Sequence, residues 1–350
     1  MGCFKRFLSK TRENEIDKQQ SYYSMKFLPT ILLLLPLLTA CNSELDFDGD
    51  TPGTKNAAIG FSNNMKITRA EATLADIQTD TNGFSVWGGY EGNTVFEGRT
   101  VIYDDSNLEW GYEDTEYWTY NTYDFHGVYP TPDANSTNKN YTVTWDNTTK
   151  ELNITGFDAS NNIDLLHAHT PVDNQDGQST SPVTMNFNHI LTNVNVELKK
   201  QEEQEIKIVK AAIKLPTVGD YSWSGTNSIK WSVDDEIPAK TLTFDYSAES
   251  KTLFNDQYTP IIENLLCIPQ EITANAITLR FDYSFSFKPE SSAVITENRE
   301  YYVTLPAGIW NPGDKVVYQG VIDAHMNIVF GAPTVEEWGE DMAGGTIIIK

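Results

Sequence analysis

Ile59-Gly60-Phe61-Ser62-Asn63-Asn64-Met65-Lys66-Ile67-Thr68 carries apolar side chains at its odd positions, Asn63 excepted, and small or polar ones at its even positions. Successive side chains of a strand point to opposite faces, so this period of two predicts a strand with one buried face. The signature recurs where Val194, Val196 and Leu198 alternate with Asn195 and Glu197, which predicts a half-exposed strand. Short aromatic and β-branched runs predict further strands at 84–87, 100–103, 117–120, 123–129, 141–145 and 151–155. After the polar gap at 173–181, others follow at 183–187, 190–198, 206–215, 228–233, 240–246, 276–283, 300–305, 315–322, 326–330 and 346–350. Asn-Gly, Gly-Gly and Asp-Asn pairs between the runs read as tight turns. The best helical candidate, Glu71 to Gln78, is short. Many short strands at this spacing predict an all-β protein built of sandwiches or barrels.

Composition agrees. The chain has 350 residues, 39% hydrophobic and 12% aromatic, enough for packed cores rich in β-formers. That length suits two ordinary domains after a leader is removed, predicted at 57–190 and 191–350.

The leader is legible too. Residues 25–40, MKFLPTILLLLPLLTA, place a Lys before an apolar run of about 14 residues, too short to span a bilayer and right for a signal peptide. Met25 is therefore the expected start, and the charged 24 residues before it read as an over-extended gene model. Leu38-Thr39-Ala40-Cys41 resembles the bacterial lipobox, which implies cleavage between Ala40 and Cys41 and lipid on the Cys41 thiol. Two acyl chains anchor stably where one does not. Residues 41–56 then form an acidic, Pro- and Gly-containing linker. The bland alternative is ordinary secretion with an incidental Cys.

Charge excludes one class of partner. The formal net charge is −24; residues beyond 40 hold 19 basic and 46 acidic side chains, net −27. Such a surface repels nucleic acid. With Cys3 and Cys41 in or beside the leader, Cys267 is the one remaining thiol, and a disulfide framework is ruled out.

Catalytic chemistry finds little support. His167-Ala168-His169 would set both imidazoles on one strand face, but a third spaced ligand is missing, so neither metal nor cofactor is expected. Cys267, in the apolar run 265–268, reads as a buried inert thiol. Nucleophile-elbow, zinc-protease and phosphate-loop motifs are absent. Trp118, Trp145, Trp223, Trp231, Trp310 and Trp338 read as core or interface more than as a sugar platform.

Several stretches together resemble the fimbrillin family of Bacteroidetes, the type V pilins. They are Tyr117-Trp118 with 123–130, Ile163-Asp164-Leu165-Leu166, Phe187-Asn188-His189, Leu266-Cys267-Ile268-Pro269-Gln270, 305–313 with Tyr318, and Val335-Glu336-Glu337-Trp338. The resemblance implies two tandem transthyretin-like Greek-key β-sandwich domains in a lipoprotein precursor carried to the outer membrane. It implies no enzyme, but a stalk, tip or anchor subunit of a surface fimbria. Partners would be other fimbrial subunits, the outer membrane through the lipid, and a host or bacterial surface ligand. It also implies trimming by an Arg-specific protease, and the family pattern sets its cleavage arginine at Arg69, before Ala70.

Burying Ile59, Phe61, Met65 and Ile67 would contribute about 1.5–3 kcal/mol each, about 6–12 kcal/mol together as an upper bound. A whole domain is worth about 5–15 kcal/mol. Cutting after Arg69 would remove lipid and strand together and leave a groove for another strand. Residues 346–350 are a candidate donor, though their apolar run fits a buried home strand equally. Two alternatives stand beside this: Arg69 as an uncut loop residue, and a non-polymerising surface lipoprotein that binds glycans.

Overall fold

Residues 57–65, 74–179, 181–201, 203–225, 228–287 and 293–338 are described by the computed structural model. In the first half, strands β1 (Phe61–Met65), β2 (Phe84–Tyr90), β3 (Asn93–Asp104), β4 (Glu109–Gly111), β5 (Thr122–Tyr129), β6 (Thr142–Asp146), β7 (Glu151–Asp158), β8 (Leu166–Asp173) and β9 (Val183–His189) are joined by one short helix, α1 (Leu74–Thr79). In the second half follow β10 (Thr192–Lys200), β11 (Glu205–Leu215), β12 (Val218–Ser224), β13 (Ser228–Val233), β14 (Lys240–Asp245), β15 (Lys251–Thr252), β16 (Thr259–Cys267) and β17 (Gln270–Ile272). The last are β18 (Thr278–Phe287), β19 (Ile295–Thr304), β20 (Gly308–Trp310), β21 (Asp314–Ile322), β22 (Ile328–Phe330) and β23 (Thr334–Glu337).

The protein is all-β, as the alternation predicts. A seven-stranded sheet runs β1-β9-β8-β5-β2-β3-β4. One face of it holds an aromatic core that includes Ile59, Phe61, Phe84, Phe96, Trp118, Phe125 and Phe187. The residues between those positions on β5 and β8 face the other way. There His126, Val128 and His167 meet Tyr221 and Trp223 of the four-stranded sheet β13-β12-β7-β6. A second sandwich closes Val194, Val196, Leu198, Ile213, Phe281 and Tyr318 between the sheets β16-β10-β21-β22 and β14-β11-β18-β19.

Residue 190, the predicted boundary, falls between β9 and β10. The β12–β13 hairpin lies beyond it in sequence, yet pairs with β7, with Tyr221 opposite Ile154 and Trp223 opposite Leu152. Three stretches of the family resemblance meet here. Asp164 lies 2.7 Å from His189, whose ring stacks on Trp338 at 4.0 Å. The Gly313 amide donates to Leu191 and the Trp338 amide to Gly313.

Three expectations need correction. Residues 117–120 are not a strand: Tyr117 makes a single bridge to Ala58, and its aromatic density reflects Trp118 filling the core. Gly88-Gly89 is no turn but a bulge inside β2, where a Cβ on Gly88 would fall 2.3 Å from the Asp124 carbonyl. β10 is not half-exposed. It lies between β16 and β21, and its polar face is buried as a chain of amides: Asn195 donates to Asn193 at 2.6 Å and Asn193 to Asn264 at 3.3 Å. α1 starts at Leu74, with residues 66–73 outside the described residues.

Candidate functional site

The segment that opens the described chain closes the first core. Residues 61–65 pair in parallel with β9, Phe61 opposite Val183 through Met65 opposite Phe187. Just before them, the Trp118 amide donates to the Ala57 carbonyl at 2.9 Å and the Ile59 amide to the Glu116 carbonyl at 2.8 Å. The chain after β4, at the far end of the sheet order, thus returns to meet the start of β1. The seven-stranded sheet rolls round its aromatic core, and residues 57–65 form the seam.

Side chains fasten the seam from within. Phe61 is 4% exposed, and its ring meets Phe96, Phe125 and Tyr112 edge-on at 5.2, 5.8 and 5.7 Å. Ile59 is buried beside it, and the Tyr112 hydroxyl donates to its carbonyl at 2.6 Å. Burial raises the Tyr112 pKa, so the hydroxyl stays a donor. Arg99 lies over the Phe96 and Tyr112 rings and donates to the Glu113 carbonyl at 3.1 Å, which holds the returning segment in place.

One residue works against the seam. Asn63 occupies the position where alternation calls for an apolar side chain, and its amide nitrogen is buried with no acceptor. An unmade buried hydrogen bond costs about 1–3 kcal/mol. The strand is therefore fastened by Ile59 and Phe61 and weakened by Asn63. Met65 aligns with Phe187 by backbone register, while Ile67, Arg69 and Ala70 lie outside the described residues. So do Ala40, Cys41 and the candidate donor 346–350.

The histidines gather in the layer behind. His126 Nδ1 lies 3.0 Å from His167 Nε2, and His167 Nδ1 lies 2.8 Å from the Tyr221 hydroxyl. His126 Nε2 has no partner. Donors running from His126 to His167 to Tyr221 leave a lone pair, not an N–H, unmatched at that atom. Burial first, then the neighbouring imidazoles, pushes His126 well below the usual histidine range, and the same causes hold His167 at about 3. His169 shares the strand face, as the sequence predicts, but turns to Asp124 at 3.2 Å, beside Lys150. That hydrogen bond is the main cause of the lowered Asp124 pKa. Among the described residues no group of three or more His, Cys, Asp or Glu side chains is placed to hold a metal ion. His126 and His167 join two sheets through neutral rings.

Cys267 is fully buried, and burial raises its thiol well above the ordinary range. Trp118, Trp223, Trp310 and Trp338 are buried, and Trp145 and Trp231 are half-buried against the core behind the seven-stranded sheet. The sequence reading missed Tyr112, Arg99 and Tyr221. Asn63, an exception in an otherwise alternating strand, was the one signal available.

The geometry is thus a rolled sheet closed at its seam by residues 57–65 and backed by the buried His126–His167–Tyr221 chain. The chain belongs to the fimbrillin-like family, whose model matches residues 68–338. That family is structural and adhesive, located at the cell surface, and not enzymatic. A fimbrial protein from Bacteroides vulgatus superposes with a TM-score of 0.64 at 18% identity, over 81% of this chain and 100% of its own. Provisionally assigned cell adhesion proteins from Bacteroides uniformis and Bacteroides ovatus score 0.45 and 0.46. They are 13% and 14% identical, over 81% and 82% of this chain and 99% of each of theirs. No curated protein matches the sequence.

Proposed function

We propose that this fimbrial subunit is delivered as a lipoprotein through Cys41 and made ready for assembly by cleavage between Arg69 and Ala70, which frees residues 41–69. The observation that carries the reading is the seam. Residues 57–65 use both backbone edges, one on β9 and one on 116–118, and insert Ile59 and Phe61 into the core. Their loss would strip the β9 edge of its partner and open Phe96, Tyr112 and Phe125 to water. A strand from another subunit restores both. The family match begins at residue 68, two positions before the Ala70 start that this cut would give. In this reading 57–190 and 191–350 are the two sandwich domains, with the β12–β13 hairpin of the second crossing over to pair with β7 of the first, and the subunit moves from the lipid-anchored outer membrane into the fimbria.

Mass spectrometry of surface-extracted protein tests the cut, with a mature chain beginning at Ala70 expected. Unboiled gels should show ladders that vanish on boiling and vanish in Arg69→Ala. Chains that begin only at Cys41, with ladders unchanged in Arg69→Ala, overturn the proposal.

A further inference from the structure

On a chain of net charge −24, one outward sheet face sets Lys210, Lys214 and Arg280 around a hollow whose lining holds no carboxylate. Strands β14, β11, β18 and β19 lie side by side, and three cross-strand rows face outward. Asp245, Lys210, Asp282 and Glu300 form the first, and Thr243, Ala212, Arg280 and Tyr302 the second. Thr241, Lys214, Thr278 and Thr304 form the third. Ala212 has only a methyl group where its neighbours carry long side chains, so a depression of about 440 Å³ opens over it. Its lining includes Lys210, Lys214, Arg280 and Tyr302, three threonine hydroxyls and no carboxylate.

The groups have distinct states. Arg280 is held bidentate on Asp282 at 2.7 and 2.8 Å and bonded to Glu300 at 2.9 Å, beside the Tyr302 ring. Tyr302 is 60% exposed, a flat apolar plate standing in solvent. Lys214 is exposed between Thr241 and Thr278 and enters no ion pair among the described residues. Asp245, Asp282 and Glu300 bound the hollow on one side.

We propose that this depression binds a saccharide bearing a single terminal carboxylate, a sialic acid residue. The carboxylate meets Lys214 and the flanking threonine hydroxyls, and a sugar face stacks on Tyr302. Concavity on this scale suits a small ligand more than a flat protein partner. The bordering acids and the chain's charge repel long polyanions, which selects one negative group over many. The inference takes its setting from the adhesive class of the protein and does not depend on strand exchange.

Titration of the full chain in detergent with 3′-sialyllactose, followed by saturation-transfer NMR, tests it. Lactose serves as the neutral comparator and a sulfated heparin tetrasaccharide as the polyanionic one. We expect sialyllactose to bind at least tenfold more tightly than either. Lys214→Ala and Tyr302→Ala should each weaken it about tenfold, with melting temperatures unchanged because both side chains are exposed. Equal binding of lactose, tighter binding of the tetrasaccharide, indifference to Lys214→Ala, or absence of binding each overturns the proposal. A loss of fimbrial ladders with sialyllactose binding intact would refute the assembly reading alone.

Discussion

Phe61→Ala tests whether side chains hold the seam shut. Truncating a buried Phe costs about 3–5 kcal/mol. The upper part of that range applies, because the ring makes three edge-on aromatic contacts, each worth about 0.5–1.5 kcal/mol beyond its buried area. The loss falls on a local opening, since the Val183 amide donates to Gly60 and the Trp118 amide to Ala57, both acceptors on the seam segment. Native-state hydrogen exchange reads these two amides directly. Both should accelerate by roughly three to three and a half orders of magnitude. The Leu253 amide, bonded to the Ile206 carbonyl in the second sandwich, should not change and serves as the control. Asn63→Val works in the opposite sense. It removes an orphaned amide worth about 1–3 kcal/mol, so exchange at Val183 should slow by about tenfold to a hundredfold. The reasoning is refuted if Phe61→Ala changes exchange at Val183 and Trp118 by less than about threefold, or accelerates Leu253 equally.

Acid should loosen the layer behind the seam. His126 and His167 have depressed folded-state pKa values, so the unfolded chain takes up protons first as pH falls below about 6.5, and stability drops. For His167, held at about 3, moving from pH 6.5 to 5 removes about 2 kcal/mol, and His126 adds a loss of the same sign. Urea melts at both pH values measure the slope, and His126→Gln with His167→Gln should flatten it. Cys267 should react with a disulfide reagent only after denaturation, and rapid labelling of the native chain would contradict its burial. Trp338→Ala removes a buried ring stacked on His189, and thermal melting should show a cost of about 3–5 kcal/mol.

Strand positions were legible wherever a run was dense in apolar, aromatic or β-branched residues. The expected 84–87, 123–129 and 206–215 lie within β2, β5 and β11. Runs interrupted by polar residues with partners elsewhere were not. β8 was missed as a strand because His167 and His169 interrupt its apolar pattern, and only the opposing Tyr221 and Trp223 explain why His167 can be buried and His169 half-buried. β12 was missed because its Gly219, Asp220 and Ser222 read as turn residues, whereas pairing with β7 satisfies its backbone. At 117–120 the error ran the other way: aromatic content mimics strand propensity, although what Trp118 supplies is core volume.

Sequence alone determined the period-two pattern, the acidic surface and the one-sided apolar face of residues 59–67, because these depend on neighbours a few positions apart. Tertiary structure decided what that face does. Phe61 meets Tyr112 and Phe125, and Ile59 bonds the chain beside Glu116, only after the sheet has rolled. Closing a roll joins segments far apart in sequence, and that pairing is set by the twist and packing of the whole sheet. No local periodicity records it.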